Sequence, residues 1–358
     1  MRTRREILAA TAAALAMPKV AMPSLAFAEG EQPREPARPK QLVFNASGGS
    51  QIAALRENYL NDFEKETGIK IVDTSPVDFG KLRAMVESGN VSWNITEIGG
   101  QDGYRVTELG LAEPIDDKIV DRSKFQPQAQ MSHVFSPRCY STVMCFRADA
   151  FPRGGPKSWA DFWDVKAFPG PRSMRNHPVD NLEAALIADG VALDQLYPLD
   201  VDRAFKKLDA IHKHIDVWWS TGQQPAQLLV DKEVVLATGW NGRFYDLIRK
   251  DAPLVQEWNG GILKQSSWVV PKGAKDQYWA MKCLAVMCDP KRQAANAEIL
   301  GYSGMHIDSN QYVAEKIRPL LPLYPDNLKK QVWLDQKWWT AHGDEIGERW
   351  NKWMLSKA

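Results

Sequence analysis

The sequence predicts an α/β protein of two domains or lobes, each built from a βα series. Three observations carry this expectation. The chain has 358 residues, enough for two domains or lobes at roughly 100–200 residues each. Short apolar runs alternate with stretches of helical periodicity, the pattern of βαβ units and a mostly parallel sheet. A long β-prone run at residues 134–146 separates two such series. Hydrophobic residues make up 44% and charged residues 25%, a globular balance that excludes wholesale disorder.

Residues 1–28 read as an export address rather than as structure. Thr3-Arg4-Arg5-Glu6-Ile7-Leu8 is a twin-arginine region, residues 7–16 are a short Ala-rich apolar stretch, and Ala26-Phe27-Ala28 is a small-x-small cleavage pattern. The apolar stretch is too short for a bilayer, which takes about 20 residues. The expectation is a Tat-type signal peptide cut after Ala28, releasing the product into the periplasm. An uncleaved amino-terminal helix is the alternative. Residues 29–40 are rich in Pro and charge and read as a disordered tail.

Gln41–Asn45 is a short apolar strand, ended by Ser47-Gly48-Gly49-Ser50. Residues 51–65 carry helical spacing through Ile52, Leu55, Tyr59, Leu60 and Phe63, and Thr67-Gly68 stops them. A strand at 69–72, a helix at 79–87 and a strand at 93–98 follow. Sites in parallel sheets lie beyond the carboxyl ends of strands. That singles out residues 47–50 and 99–102, with Ser47, Gly48, Gly49 and Gln101 as candidates. After the 134–146 run, Ser158 reads as an N-cap with Asp161 three residues on. The second series has strands at Arg172–Arg175 and 234–238 and helices at 180–189 and 201–214. Residues 268–270 form another short strand, broken by Pro271-Lys272-Gly273, and the rest is mainly helical.

A formal net charge of +1 argues against nucleic acid as a partner. No G-x-S-x-G, phosphate loop or H-E-x-x-H occurs. His212 and His214, two apart on a helix, do not share a face. Neither catalytic nor metal-ligating residues nor any cofactor are therefore assigned. Cys139 and Cys145 share a strand, and Cys283 and Cys288 a helix, at spacings unsuited to local disulfides. Four free thiols are expected, with long-range pairing the alternative.

Several segments resemble one family. Asn61-Asp62-Phe63-Glu64-Lys65-Glu66-Thr67-Gly68-Ile69-Lys70-Ile71 is similar to a segment of periplasmic solute-binding proteins of ATP-binding-cassette (ABC) importers. Ser158-Trp159-Ala160-Asp161-Phe162-Trp163 resembles the S-W-A-D-L-W of their spermidine/putrescine-binding branch. So do Lys232-Glu233-Val234 with Trp240-Asn241-Gly242, Gly260-Gly261-Ile262 with Trp268-Val269-Val270-Pro271, and Gly301-Tyr302. The resemblance implies the two-lobed periplasmic-binding-protein fold, its lobes joined by crossing strands, with a small-molecule ligand in a cleft and delivery to ABC permease transmembrane subunits. The lobes are expected at 41–140 plus about 269–308, and at about 141–268 plus 309–358, in a monomer. The alternative is a Tat-exported periplasmic enzyme on the same fold.

The resemblance also implies site residues. Trp240 and Tyr302 match aromatic positions of the cleft, with a core role as the alternative for each. Asp180 matches one acid of the family site, an N-cap being the alternative, and His177 stands where a second would be. The stretch Leu263-Lys264-Gln265-Ser266 departs from the pattern: Lys264 replaces an aromatic and Ser266 an acid. A polycation would then lack counter-charges. Arg175 offers a carboxylate clamp, plain solvent exposure being its alternative, and backbone N–H groups at 47–50 an anion site, a plain turn being the alternative there. The expected ligand is a small amine-bearing or carboxylated metabolite, polyamine-like or an omega-amino acid, with one amine on Asp180.

Overall fold

A computed structural model describes residues 35–357. The expected signal peptide and the tail up to residue 34 lie outside the described residues. Residues 35–37 are exposed without regular structure. The chain from residue 38 onward folds as one unit.

Eight strands form the path of a single sheet. In chain order they are β1 (Gln41–Asn45), β2 (Lys70–Thr74), β3 (Ile95–Ile98), β4 (Phe135–Arg147), β5 (Arg172–Arg175), β6 (Ile215–Trp219), β7 (Leu236–Trp240) and β8 (Leu254–Val269). Their spatial order is β2-β1-β3-β8-β4-β7-β5-β6. Two parallel wings result, β2-β1-β3 and β7-β5-β6. Between them, β8 and β4 run antiparallel to each other and to the neighbouring wing strands. Two short strands, β9 (Ser303–Gly304) and β10 (Val332–Trp333), pair with β4 and β8 respectively.

The crossing strand at 134–146 is present as β4. All of its residues are buried except the half-buried Tyr140, so it reads as one continuous run rather than an alternation. The short strand expected at 268–270 is the end of the 16-residue β8. Residues 254–267 escape sequence reading because Lys264, Gln265, Ser266 and Ser267 are polar yet buried. Gly260, at φ 76, also interrupts the run, and a Cβ there would meet the Trp159 ring at 2.5 Å. β6 was likewise not expected.

The first wing buries Leu42, Phe44, Ile71 and Ile95 against Phe63 and Trp279. The second buries Met174, Leu182, Leu208, Trp159 and Phe162 with Trp350 of the carboxy-terminal helix Gln336–Lys357. Local stops follow the sequence. Gly68 takes φ 74 and ends the helix Asn61–Thr67. The Ser158 side chain accepts from the Asp161 N–H at 3.2 Å, while Asp161 accepts from the Lys157 N–H at 2.8 Å. Ser158→Ala is expected to lower stability by about 1 kcal/mol, seen as an earlier denaturation midpoint. All four cysteines are free. Among the described residues no helix is long and apolar enough to cross a membrane.

Candidate ligand-binding site

The carboxyl ends of β1, β3, β5 and β7 converge on a cavity of about 280 Å³, close to the lower end of small-molecule sites at roughly 300 Å³. Ser47 follows β1, Gln101 follows β3, Arg175 ends β5 and Trp240 ends β7, and all four line it. Ser266 of β8 and Tyr302 complete the set of expected residues at its surface. The structure adds Gln51, Glu97, Tyr140 and Arg243, which sequence reasoning missed.

Glu97 is the carboxylate of this cavity. Its Oε2 accepts the Ser47 N–H at 2.7 Å and its Oε1 accepts the Ser266 hydroxyl at 3.1 Å. Behind it, Arg138 Nη2 stands 3.9 Å from Glu97 Oε1 and donates to Gln51 at 2.8 Å. Arg138 is buried between Trp268 and Tyr302, its guanidinium carbon 4.9 and 5.6 Å from their ring centres. Burial pulls its pKa down, and the nearby Glu97 charge counters that.

Two guanidinium groups come from the second wing. Arg175 lies 5.5 Å from the Trp240 ring centre and 5.9 Å from that of Trp219. Arg243, in the first turn of the helix Asn241–Ile248, donates to Gln223 at 3.2 Å, and its Nε has no partner among the described residues. Three aromatic rings connect these charges. Tyr140 meets Trp240 edge-on at 6.0 Å and Tyr302 at 5.3 Å. Gly100 lets the backbone pass close to Tyr140, because a Cβ there would stand 3.0 Å from its hydroxyl.

Four expected residues fall elsewhere. Gly48 and Gly49 form the turn beside Ser47 and do not line the cavity; Gly49 supplies φ 67 there. The expected anion site at 47–50 is not free, because the Ser47 N–H already holds Glu97. His177 caps the helix Pro178–Ala188 by accepting the Val179 N–H at 3.2 Å. It borders a separate cavity of about 100 Å³, shared with Gln101 and Trp339, and burial pushes its imidazole down to about 3, so it stays neutral.

Asp180 is corrected in both of its expected roles. Its side chain does not cap the helix, and at φ 78 it stands with Val179 in a non-helical kink after Pro178. Its carboxylate is buried behind the cavity, 2.6 and 2.7 Å from Lys264 Nζ, so no ligand amine reaches it unpaired. Burial works to raise this carboxyl, yet Lys264 and Arg175 together hold it below the usual range.

A two-winged sheet, a cavity at the strand ends and charges of both signs around aromatic walls describe a binding protein for a small polar solute. The profile of the family "Bacterial extracellular solute-binding protein" matches residues 58–315. The chain belongs to this family. A solved ABC transporter substrate-binding protein of Bradyrhizobium japonicum is 37% identical, covers 88% of this chain and 100% of its own, and superposes with a TM-score of 0.84; the solute-binding protein is thus two-lobed and periplasmic, the substrate-binding component of an ABC importer.

One relative is a gamma-aminobutyric acid-binding protein of Pseudomonas aeruginosa, 32% identical over 336 residues, 92% of this chain and 94% of the relative. The solved structure of the Atu4243-GABA receptor is 38% identical, covers 89% of this chain and 98% of its own, and superposes with a TM-score of 0.82. A spermidine/putrescine-binding periplasmic protein of Haemophilus influenzae is more distant, 22% identical over 298 residues, 78% of this chain and 81% of the relative.

Proposed function

We propose that this solute-binding protein captures a short ω-amino acid of the γ-aminobutyrate (GABA) type. One observation carries the reading: a single carboxylate, Glu97, and two guanidinium groups, Arg175 and Arg243, line the same small cavity. Glu97 takes the ammonium, and Arg175 with Arg243 takes the carboxylate. Tyr140, Trp240 and Tyr302 cover the methylenes between them, while Ser47, Gln101 and Ser266 supply polar contacts. Two relatives carrying gamma-aminobutyric acid or GABA in their names support this class over a polyamine. A diamine would set its second ammonium against the guanidinium groups, a repulsion with no counter-charge left to offset it.

A thermal-shift series tests the reading, because a ligand that binds only the folded state stabilises it by mass action. GABA is expected to raise the midpoint most, butyrate less, and putrescine and spermidine least. A larger response to spermidine than to GABA would overturn it. Trp240→Ala is expected to weaken GABA binding by about 1–3 kcal/mol, the scale of a desolvated aromatic contact. Calorimetry showing full affinity in that folded variant would take Trp240 out of the site.

The remaining expectations fit the same reading. Lobe one is taken as residues 41–140 plus 269–308, and lobe two as 141–268 plus 309–358. Trp350 of the last helix is buried in the second core, which supports the latter grouping. The protein acts as a monomer by binding and release alone, and hands its ligand to the permease. Residues 1–28 act as a twin-arginine signal, cut after Ala28. Replacing Arg4 and Arg5 together with Lys is expected to leave precursor in the cytoplasm, checked by cell fractionation. Undiminished export would contradict the Tat route.

A further inference from the structure

Behind the cavity wall, outside its lining, lies a buried ion pair. Lys264 and Asp180 are 1% and 2% exposed at their side chains. Lys264 Nζ stands 2.6 and 2.7 Å from the two Asp180 oxygens, and donates also to the Thr142 hydroxyl at 2.8 Å. It lies 5.2 Å from the ring centre of Tyr140, its register partner on β4 and a wall of the cavity. Arg175 Nη1 donates to Asp180 Oδ2 at 3.4 Å, a longer contact than the two that Lys264 makes.

Charge and geometry give this arrangement a consequence. Arg175 and Lys264 share one carboxylate, so the trio carries one net positive charge at the cavity wall. If Lys264 were neutral, Asp180 would be an isolated buried anion with a guanidinium already within reach. The pair would close, since an unpaired buried charge is far costlier than a paired one. Arg175 would then be spent internally, and Arg243 alone of the two lining guanidinium groups would remain for a ligand carboxylate. The backbone at Asp180 is held in place for this contact. Its φ of 78 is unusual for a residue other than glycine, and Glu183 Oε2 secures it by accepting the Asp180 N–H at 2.9 Å.

We propose that Lys264 is the positioning residue that sets the ligand's charge class: by occupying both Asp180 oxygens it keeps Arg175 free for a carboxylate, which makes the site select an ω-amino acid over a diamine. This rests on the ω-amino acid reading above.

The test measures calorimetric affinities for GABA and putrescine, which differ at one end only. Their ratio is compared in the wild type, Lys264→Met, and the double variant Asp180→Asn/Lys264→Met. In Lys264→Met the preference for GABA is expected to fall by about tenfold or more, with putrescine holding or gaining. In the double variant no carboxylate remains to consume Arg175, and the preference is expected to return. A purely structural role for Lys264 would weaken both ligands alike and would not be rescued by a second substitution. If thermal melting shows Lys264→Met unfolded, Lys264→Gln, which keeps a donor on Asp180 without the charge, is read in the same way.

A wild-type preference for GABA with an unchanged ratio in the single variant, or with no recovery in the double one, overturns the role of Lys264 alone. Wild-type protein that prefers putrescine, or binds neither, overturns the ω-amino acid reading and this inference with it.

Discussion

Replacing Arg175 with Ala is expected to weaken GABA binding by about 2–4 kcal/mol, the cost of truncating one partner of a largely desolvated charge pair. Butyrate, which keeps the carboxylate and lacks the amine, should weaken in parallel. Putrescine should not weaken, because the group removed repels its second ammonium. The fold should survive, since Asp180 keeps both of its contacts to Lys264. Calorimetry with the three ligands checks this. Equal loss for all three would mean that Arg175 shapes the cavity without reading charge.

The second large effect is expected at Glu97. Glu97→Gln keeps the side-chain shape and an acceptor for the Ser47 N–H, but removes the only carboxylate among the described residues that line the cavity. GABA binding is expected to fall by about 2–4 kcal/mol, while butyrate binding holds or improves. Stability should also drop, by about 1–3 kcal/mol, because Arg138 is buried 3.9 Å away with no other carboxylate within ion-pair distance among the described residues. Titrations with both ligands and a denaturant curve separate the two effects. Butyrate binding lost as fully as GABA binding would place the carboxylate end of the ligand, not its amine, at Glu97.

The two substitutions probe the site at its two signs, and the sequence made one of them visible. Arg175, Trp240 and Tyr302 stand out because each sits at a strand end or in a short motif, where chain order and site position coincide. Ser47 and Gln101 are legible for the same reason. Glu97 is a charged residue inside a short strand just before Gly99-Gly100, a local signal that was available and was passed over. Arg138 is different. Its partners Gln51, Ser266 and Asn296 lie 87, 128 and 158 residues away in the chain. Only the β4–β8 register, in which Arg138 faces Ser266, brings it to the site.

The misreading of Asp180 has the same origin. An acid near an expected cleft looks like an amine ligand until its counter-ion is found, and Lys264 is 84 residues away. The apparent loss of an aromatic at Lys264 and the apparent availability of Asp180 are two sides of one buried pair. Strand alternation fails along β8 for a related reason: its polar residues are buried with partners distant in the chain, Ser266 lining the cavity, Lys264 on Asp180, Gln265 on Gln336 and Ser267 on Ser136. The first wing and the crossing β4 were legible, since their strands are apolar or β-prone runs between clear stops, whereas β6 of the second wing was not.

The most direct test of the account is a crystal structure of the mature protein with GABA bound. The account predicts the ligand carboxylate within hydrogen-bonding distance of Arg175 or Arg243 and the ammonium on Glu97, with the Lys264–Asp180 pair intact behind the wall. An ammonium seated on Asp180, or a carboxylate turned toward Glu97 and away from both guanidinium groups, would contradict it.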